Sequence, residues 1–166
     1  MLIYIITVTI LLSSIIAVLA SVYYEKRKER TILSIKEAVL LTDFPILTFN
    51  NNGKKLRFLL DTGSNRNIID KRMIPYLMIT DSSSAHGMDS AEGLGGTADF
   101  SGTYLICFNY DSLKFRAVFM AMDGCAGFDK IKEESGVEVN GILGAPFMTQ
   151  YKYLIDLDKL KVKINK

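Results

Sequence analysis

Phe58-Leu59-Leu60-Asp61-Thr62-Gly63-Ser64 is the segment of this chain best suited to chemistry. An acidic residue that ends an apolar strand and is followed at once by a turn glycine holds its carboxylate on a loop leaving the core, where apolar walls raise the cost of ionising it. One such carboxylate is only a weak acid. Two that face each other share a proton, because like charges so close do not both ionise; one then serves as base to a water and the other as acid to a carbonyl oxygen. Thr62 and Ser64 bring hydroxyls able to fix the turn, and Gly63 admits a close backbone approach. A Ser64 hydroxyl donated to Asp61 would stabilise the ionised form and lower the apparent pKa of the pair. The same letters also suit an ordinary turn closing a hairpin, and alone they do not separate the two readings.

A second segment, Asn140-Gly141-Ile142-Leu143-Gly144-Ala145-Pro146-Phe147-Met148, sets an apolar pair between glycines and follows it with a proline-opened short helix. The remaining candidates for chemistry are poorer. His86 is the one histidine, so multi-histidine metal centres are excluded, and it lies in a Ser-rich stretch with no apolar strand to hold it beside a nucleophile. Cys107 and Cys125 allow at most one disulfide and supply no structural zinc site; Cys107 reads as a small buried hydrophobe in a strand, Cys125 as a loop residue. The seven Met residues suit packing. No metal or cofactor is expected. The net charge of +2 is too small to argue for nucleic acid.

The elements that must position Asp61 read as β. Pro45–Phe49 and Leu56–Leu60 flank Asn50-Asn51-Asn52-Gly53, and Asn-Gly between two such runs is the strongest local signal for a hairpin. Tyr104–Asn109, Phe115–Met122, Tyr151–Leu157 and Leu160–Ile164 are further strands, the last alternating Leu160, Val162 and Ile164 with polar residues. Helices are expected over Ile69–Leu77, Phe128–Ser135 and Pro146–Tyr151. Thr80 to Gly96 is Ser- and Gly-rich and reads as a loop or mobile hairpin. The class is a small, mostly β, closed barrel over residues 44–166.

Every Lys, Arg, Asp and Glu lies in residues 25–166. The uncharged run Met1 to Tyr24 is long enough as a helix, at about 1.5 Å per residue, to cross a hydrocarbon core of about 30 Å. It reads as a membrane helix in contact with lipid; a cleaved signal is the rival, but no Lys or Arg precedes the run. Lys26, Arg27, Lys28 and Arg30 follow directly, and basic flanks favour the cytoplasmic side, which places the C-terminal domain there; export after signal cleavage, or an outward-facing anchor, is the alternative. Residues 25–43 read as a stalk, with a helix continuing over Thr31–Leu41 until Asp43 and Pro45 end it.

Apolar-apolar-Asp-Thr-Gly-Ser, a glycine-rich hairpin, then apolar-apolar-Gly with a short helix and a closing strand resembles the retropepsin-like aspartic proteases, single-domain relatives of pepsin. The resemblance runs from about Phe44 to Ile164. It implies that Asp61 is the catalytic carboxylate, that the Thr62 hydroxyl locks two active-site loops of a dimer together, and that Gly63 is the turn residue, with Ser64 beside it. Ile142, Leu143 and Gly144 would be the layer that the Asp61 loop packs against. Glu92, Gly93, Leu94, Gly95 and Gly96 would sit at or near the flap, closing over an extended peptide; the alternative on composition is an ordinary flexible loop.

There is no second Asp-Thr-Gly, and Met122-Asp123-Gly124 lacks the hydroxyl residue and the following apolar pair, so it reads as a turn. The resemblance then implies a symmetric homodimer that cuts peptide bonds with one Asp61 from each copy. The alternative is an inactive protease-like module for dimerisation or peptide binding at the membrane. Ala145-Pro146 replaces the charged pair common after apolar-apolar-Gly in retroviral enzymes, and Gly124 to Val139 is longer than in them, fitting an added lid or a rim helix.

Overall fold

Asn52 and Gly53 adopt φ of 47° and 87°. Two successive positive φ values are what a two-residue hairpin needs if its twist is to match its strands, and Asn-Gly supplies them at least cost. The computed structural model describes residues 1–26, 30–83, 90–93, 96–123 and 126–165. In chain order it contains α1 (Leu2–Lys26), β1 (Arg30–Ser34), α2 (Lys36–Thr42), β2 (Ile46–Asn51), β3 (Lys54–Leu60), β4 (Ile68–Asp70), a 3-10 helix (Lys71–Tyr76) and β5 (Ile79–Ser83). It continues with β6 (Ser90–Gly93), β7 (Gly96–Tyr110), β8 (Leu113–Met122), α3 (Ala126–Ser135), β9 (Gly141–Leu143), α4 (Ala145–Gln150), β10 (Tyr153–Asp156) and β11 (Lys161–Asn165).

The strands β2-β3-β9-β4-β8-β7 pair in that order, and a β2–β7 contact at Asn50↔Asn109 closes them into a six-stranded barrel. Closure leaves no open edge in the ring and packs the inward residues of every strand against one another. Along β8, Leu113, Phe115, Ala117, Phe119 and Ala121 are buried, while Lys114, Arg116 and Val118 face out. Phe49, Phe58, Phe108, Phe115, Phe119 and Phe147 fill the interior with rings 4.9 to 6.0 Å apart. The pleat also corrects one expectation. Cys107 is exposed, because its neighbours Ile106 and Phe108 point into the core and a strand alternates.

The segment expected to be a helical stalk is partly built into the domain. Residues 30–34 form β1, paired antiparallel with β11, and Leu33 and Ile35 are buried in the main core. The period of Thr31–Leu41 fits a helix, but the free side of β11 offers hydrogen bonds and a core face that an isolated helical turn would lack. Only Lys36–Thr42 is helical, ended by Asp43 at φ 61° with its N–H on the Val39 carbonyl.

The expected helix over Ile69–Leu77 is likewise a short strand and a 3-10 turn. Ile68–Asp70 fits between β8 and β9, Asp70 caps the turn by accepting from the Arg72 amide, and Pro75 lies within it. The long segment before β9 contributes α3, whose Phe128 joins Ile46 and Val139 in a small second core beside the barrel.

α1 is described with its side chains over 9–21, about 20 Å of helix. Among the described residues no helix is long and apolar enough to cross a membrane. Ser13, Ser14 and Ser21 each donate to the carbonyl three residues back, at 2.8 Å, so their hydroxyls are satisfied within the helix.

Candidate active site

β3 delivers Asp61. Its last residues are paired on one side with β2 and on the other, in parallel, with β9, so that Phe58, Leu59 and Leu60 lie opposite Gly141, Ile142 and Leu143. The Asp61 amide continues this ladder by donating to the Leu143 carbonyl at 3.1 Å. Beyond it the chain turns: the Ser64 amide donates to the Asp61 carbonyl at 3.2 Å, and the Gly63 amide donates to Asp61 Oδ1 at 2.9 Å. The carboxylate is half-buried, while Thr62 and Gly63 are exposed at the lip of the barrel.

The two glycines around Ile142-Leu143 follow from how closely three backbones meet here. A Cβ on Gly141 would lie 2.2 Å from the Ile68 carbonyl oxygen, and one on Gly144 would lie 2.2 Å from that of Arg66 and 2.7 Å from that of Ser64. No side chain fits at such distances. Ala145 then donates from its amide to the Ser64 carbonyl at 2.8 Å, starting α4 directly against the loop. Thus Asp61, Thr62, Gly63 and Ser64 are brought together with Ile142, Leu143 and Gly144.

Ser64 is aimed elsewhere than the sequence suggests. Its hydroxyl donates to the Arg66 carbonyl at 2.8 Å, and a single hydroxyl hydrogen committed there is not available to Asp61. The group that donates to the Asp61 carboxylate is the backbone amide of Gly63. Asp123, the carboxylate in the second acidic turn, is exposed and paired with Lys71 at 2.8 Å.

β6 and the start of β7 form a hairpin in which Ser90 to Gly93 pair with Asp99 to Gly96. Gly93 and Gly96 face each other across its tip; Leu94 and Gly95 lie outside the described residues, as do His86 and Cys125. At the foot of this hairpin the Arg66 guanidinium stands 5.7 Å from the centre of the Phe100 ring, linking the Asp61 loop to the hairpin. A groove of about 420 Å³ opens beside Thr62, bounded by Ala145, Met148, Thr149 and residues 152–155.

Several supporting residues were not singled out from the sequence. Asn67 is buried; its Oδ1 accepts from the Gly144 amide at 3.0 Å and its Nδ2 donates to the Val118 carbonyl at 3.0 Å, tying the loop to β9 and β8. Asn140 is buried too, accepting from the Arg57 amide at 2.8 Å. Both asparagines stand just before apolar strands, and a polar amide abutting such a run is the signal that could have found them. Tyr151 is a third: its hydroxyl accepts from the Arg116 amide and donates to the Arg116 carbonyl.

The fold is similar to solved retroviral-type proteases. A retropepsin-like aspartic protease from Rickettsia conorii superposes with a TM-score of 0.50 at 13% identity, over 81% of this chain and 98% of that one. The EIAV protease complexed with the inhibitor HBY-793 gives 0.47 at 15%, over 64% and 86%. The retroviral protease-like domain of Ddi1 from Leishmania major gives 0.46 at 15%, over 72% and 91%. No curated protein matches the sequence. The aspartyl protease family model matches residues 47–147, which hold the Asp61 loop, the hairpin and the Ile142-Leu143-Gly144 layer, and this chain belongs to that family.

Proposed function

We propose that the chain is a membrane-anchored aspartic endopeptidase that acts as a homodimer. The observation that carries this reading is the single Asp61-Thr62-Gly63 at the end of β3, with the Asp61 carboxylate held by the Gly63 amide at the barrel lip. In the reaction one Asp61 of the pair takes a proton from water as the water attacks the peptide carbonyl, and the other, protonated, gives its proton to the carbonyl oxygen. The tetrahedral intermediate then collapses with protonation of the leaving nitrogen, releasing an acid and an amine. The β6–β7 hairpin acts as the flap, offering backbone N–H groups to an extended substrate. A carboxylate pair that shares one proton requires two copies here, and the two Thr62 hydroxyls would then meet across the two-fold axis.

The uncharged run 1–24 supports an anchor, and the basic residues after it support a domain on the cytoplasmic side. Confinement of two copies to one bilayer raises their effective concentration. The test is cleavage of an unstructured peptide mixture by the purified full chain and by Asp61→Asn, with pepstatin-type inhibition as a control. Loss of turnover in a variant whose circular dichroism is unchanged supports the reading; equal turnover in both refutes it. An inert wild-type chain that still captures peptides would favour the binding-module alternative. Resistance of the chain to alkaline extraction from membranes, with a reporter fused after Ile164, tests the anchor and its orientation.

A further inference from the structure

The three-stranded sheet outside the barrel, ordered β1-β11-β10, has two unlike faces. Strands alternate, so the register sorts their residues between the two. Leu33, Val162 and Ile164 are buried in the main core, and Tyr153 and Ile155, paired with Ile164 and Val162, share their side. The opposite side carries the row Ile32, Lys163, Leu154 and the row Ser34, Lys161, Asp156. Ile32 is 53% exposed and Leu154 52%, Lys161 is exposed, and Lys163 lies 3.6 Å from Asp156. This outer face therefore sets exposed aliphatic side chains on both flanks of a lysine.

Charge is sorted the same way. Residues 25–34 and 152–166, which contain all three strands of this sheet, hold nine of the twenty Lys and Arg but four of the eighteen Asp and Glu. The rest of the chain holds eleven basic residues against fourteen acidic ones. A basic end on an otherwise acidic chain is drawn toward an anionic surface and sets the orientation of approach. The tether narrows what that surface is. α1 ends at Lys26 and β1 begins at Arg30, and the linking residues reach no more than about 14 Å even when fully extended. A chain anchored through residues 1–24 thus keeps the start of β1 beside the lipid headgroups, and the core already occupies the other face of this sheet.

We propose that the outer face of the β1-β11-β10 sheet rests on an anionic lipid surface, with Ile32 and Leu154 entering the headgroup boundary and Lys161 and Lys163 meeting lipid phosphates. The proposal rests on the anchor reading of residues 1–24 and goes beyond it by naming the surface that fixes how the barrel stands on the bilayer. Lysine suits such a place, because its stem covers apolar surface while its ammonium stays at headgroup level. Each basic residue beside a span adds to the attraction of an anionic leaflet. Tyr153 and Ile155, on the core side, line the groove beside Thr62, so the sheet stands between the bilayer and the Asp61 loop. Substrate is then an extended segment taken from the water, not one lying within the membrane.

The experiment uses the full chain in vesicles, carrying Cys107→Ser and Cys125→Ser and a single environment-sensitive fluorophore at Ile32→Cys, Leu154→Cys or, as a control on β5, Ser82→Cys. The vesicles are phosphatidylcholine alone or with about one third phosphatidylserine, with quenchers on the acyl chains. Labels at positions 32 and 154 should lose about half or more of their emission in the anionic vesicles and less in the neutral ones, while the label at position 82 stays bright. High salt, or Lys159→Gln with Lys161→Gln in a chain of unchanged circular dichroism, should reduce that loss at least twofold. Alkaline extraction of the same vesicles reads the anchor separately. A chain that resists extraction with labels 32 and 154 unquenched would overturn the docked face and leave the anchor standing. A chain that is extracted yet quenched at neutral pH would keep the face and sink the anchor. Equal quenching in both vesicle types, or at all three positions, would overturn the proposal, as would an equal spectral change on adding polyglutamate without vesicles.

Discussion

At the scale of single residues, the site is held by backbone groups and buried amides more than by side chains of the loop itself. Ser64 is satisfied by Arg66, so Ser64→Ala should leave the pH–rate profile unshifted and cost about 1 kcal/mol in chemical denaturation, the ordinary net worth of one hydrogen bond. A displaced profile would show that the hydroxyl reaches Asp61 during turnover. Asn67→Leu removes one buried and one part-buried hydrogen bond and strands the Gly144 amide, a loss of about 2–4 kcal/mol read from the denaturation midpoint. Gly144→Ala forces a methyl to within 2.2 Å of the Arg66 carbonyl oxygen. That overpacking costs about 1–3 kcal/mol and shifts the Asp61 loop, so turnover should fall further than stability alone explains. Asp61 itself was legible in the sequence because its turn is local: apolar strand, acid, hydroxyl, glycine. Asn67 was not, because its partners lie 51 and 77 residues away.

At the scale of elements, hairpins obey their own letters and the sheet edges do not. Gly53 sits at φ 87° with open space around it, so Gly53→Ala is penalised by backbone strain alone, about 1 kcal/mol, and hydrogen exchange across β2–β3 should quicken. Asp156, at the end of β10, accepts from the Lys159 amide at 3.0 Å and lies 3.6 Å from Lys163. The amide hydrogen bond, assisted by the two lysines, holds its carboxyl below the usual carboxylate range. A depressed folded pKa contributes stability above the ordinary carboxylate pKa of about 3.9 and loses it as pH falls through the folded value. The gap in denaturation midpoint between wild type and Asp156→Asn should therefore be present at pH 7 and close progressively below about pH 4. A gap that persists under acid would point to a cause other than this charge.

At the scale of the whole molecule, the proposed paired-Asp61 reading makes a barrel with one Asp-Thr-Gly half of an active site. Specific activity of the full chain in detergent should fall on dilution and recover on concentration, whereas a covalent tandem of two copies should not show this loss. Activity proportional to chain concentration at every dilution would argue that one copy suffices. The barrel, its closing strands and the short helix after Gly144 were readable from alternation and turn residues. The folding of residues 30–35 into the domain was not: whether β-branched Thr31 and Ile32 with Leu33 make a helix or a strand depends on β11, more than a hundred residues later.

By itself, the amino-acid sequence determined what is encoded within a few neighbouring residues: the apolar strand ending in Asp61, the Asn52-Gly53 turn, the alternation of β8 and β11, and the absence of a second Asp-Thr-Gly. Only the tertiary structure decided that Ser64 serves the loop rather than Asp61, that Cys107 faces outward, and that Gly141 and Gly144 are demanded by carbonyls of Ile68, Ser64 and Arg66. The reason is one of range. A turn's dihedral preferences act between adjacent residues, whereas the partner of a hydrogen bond or of a strand edge is chosen by whatever the closed barrel brings alongside.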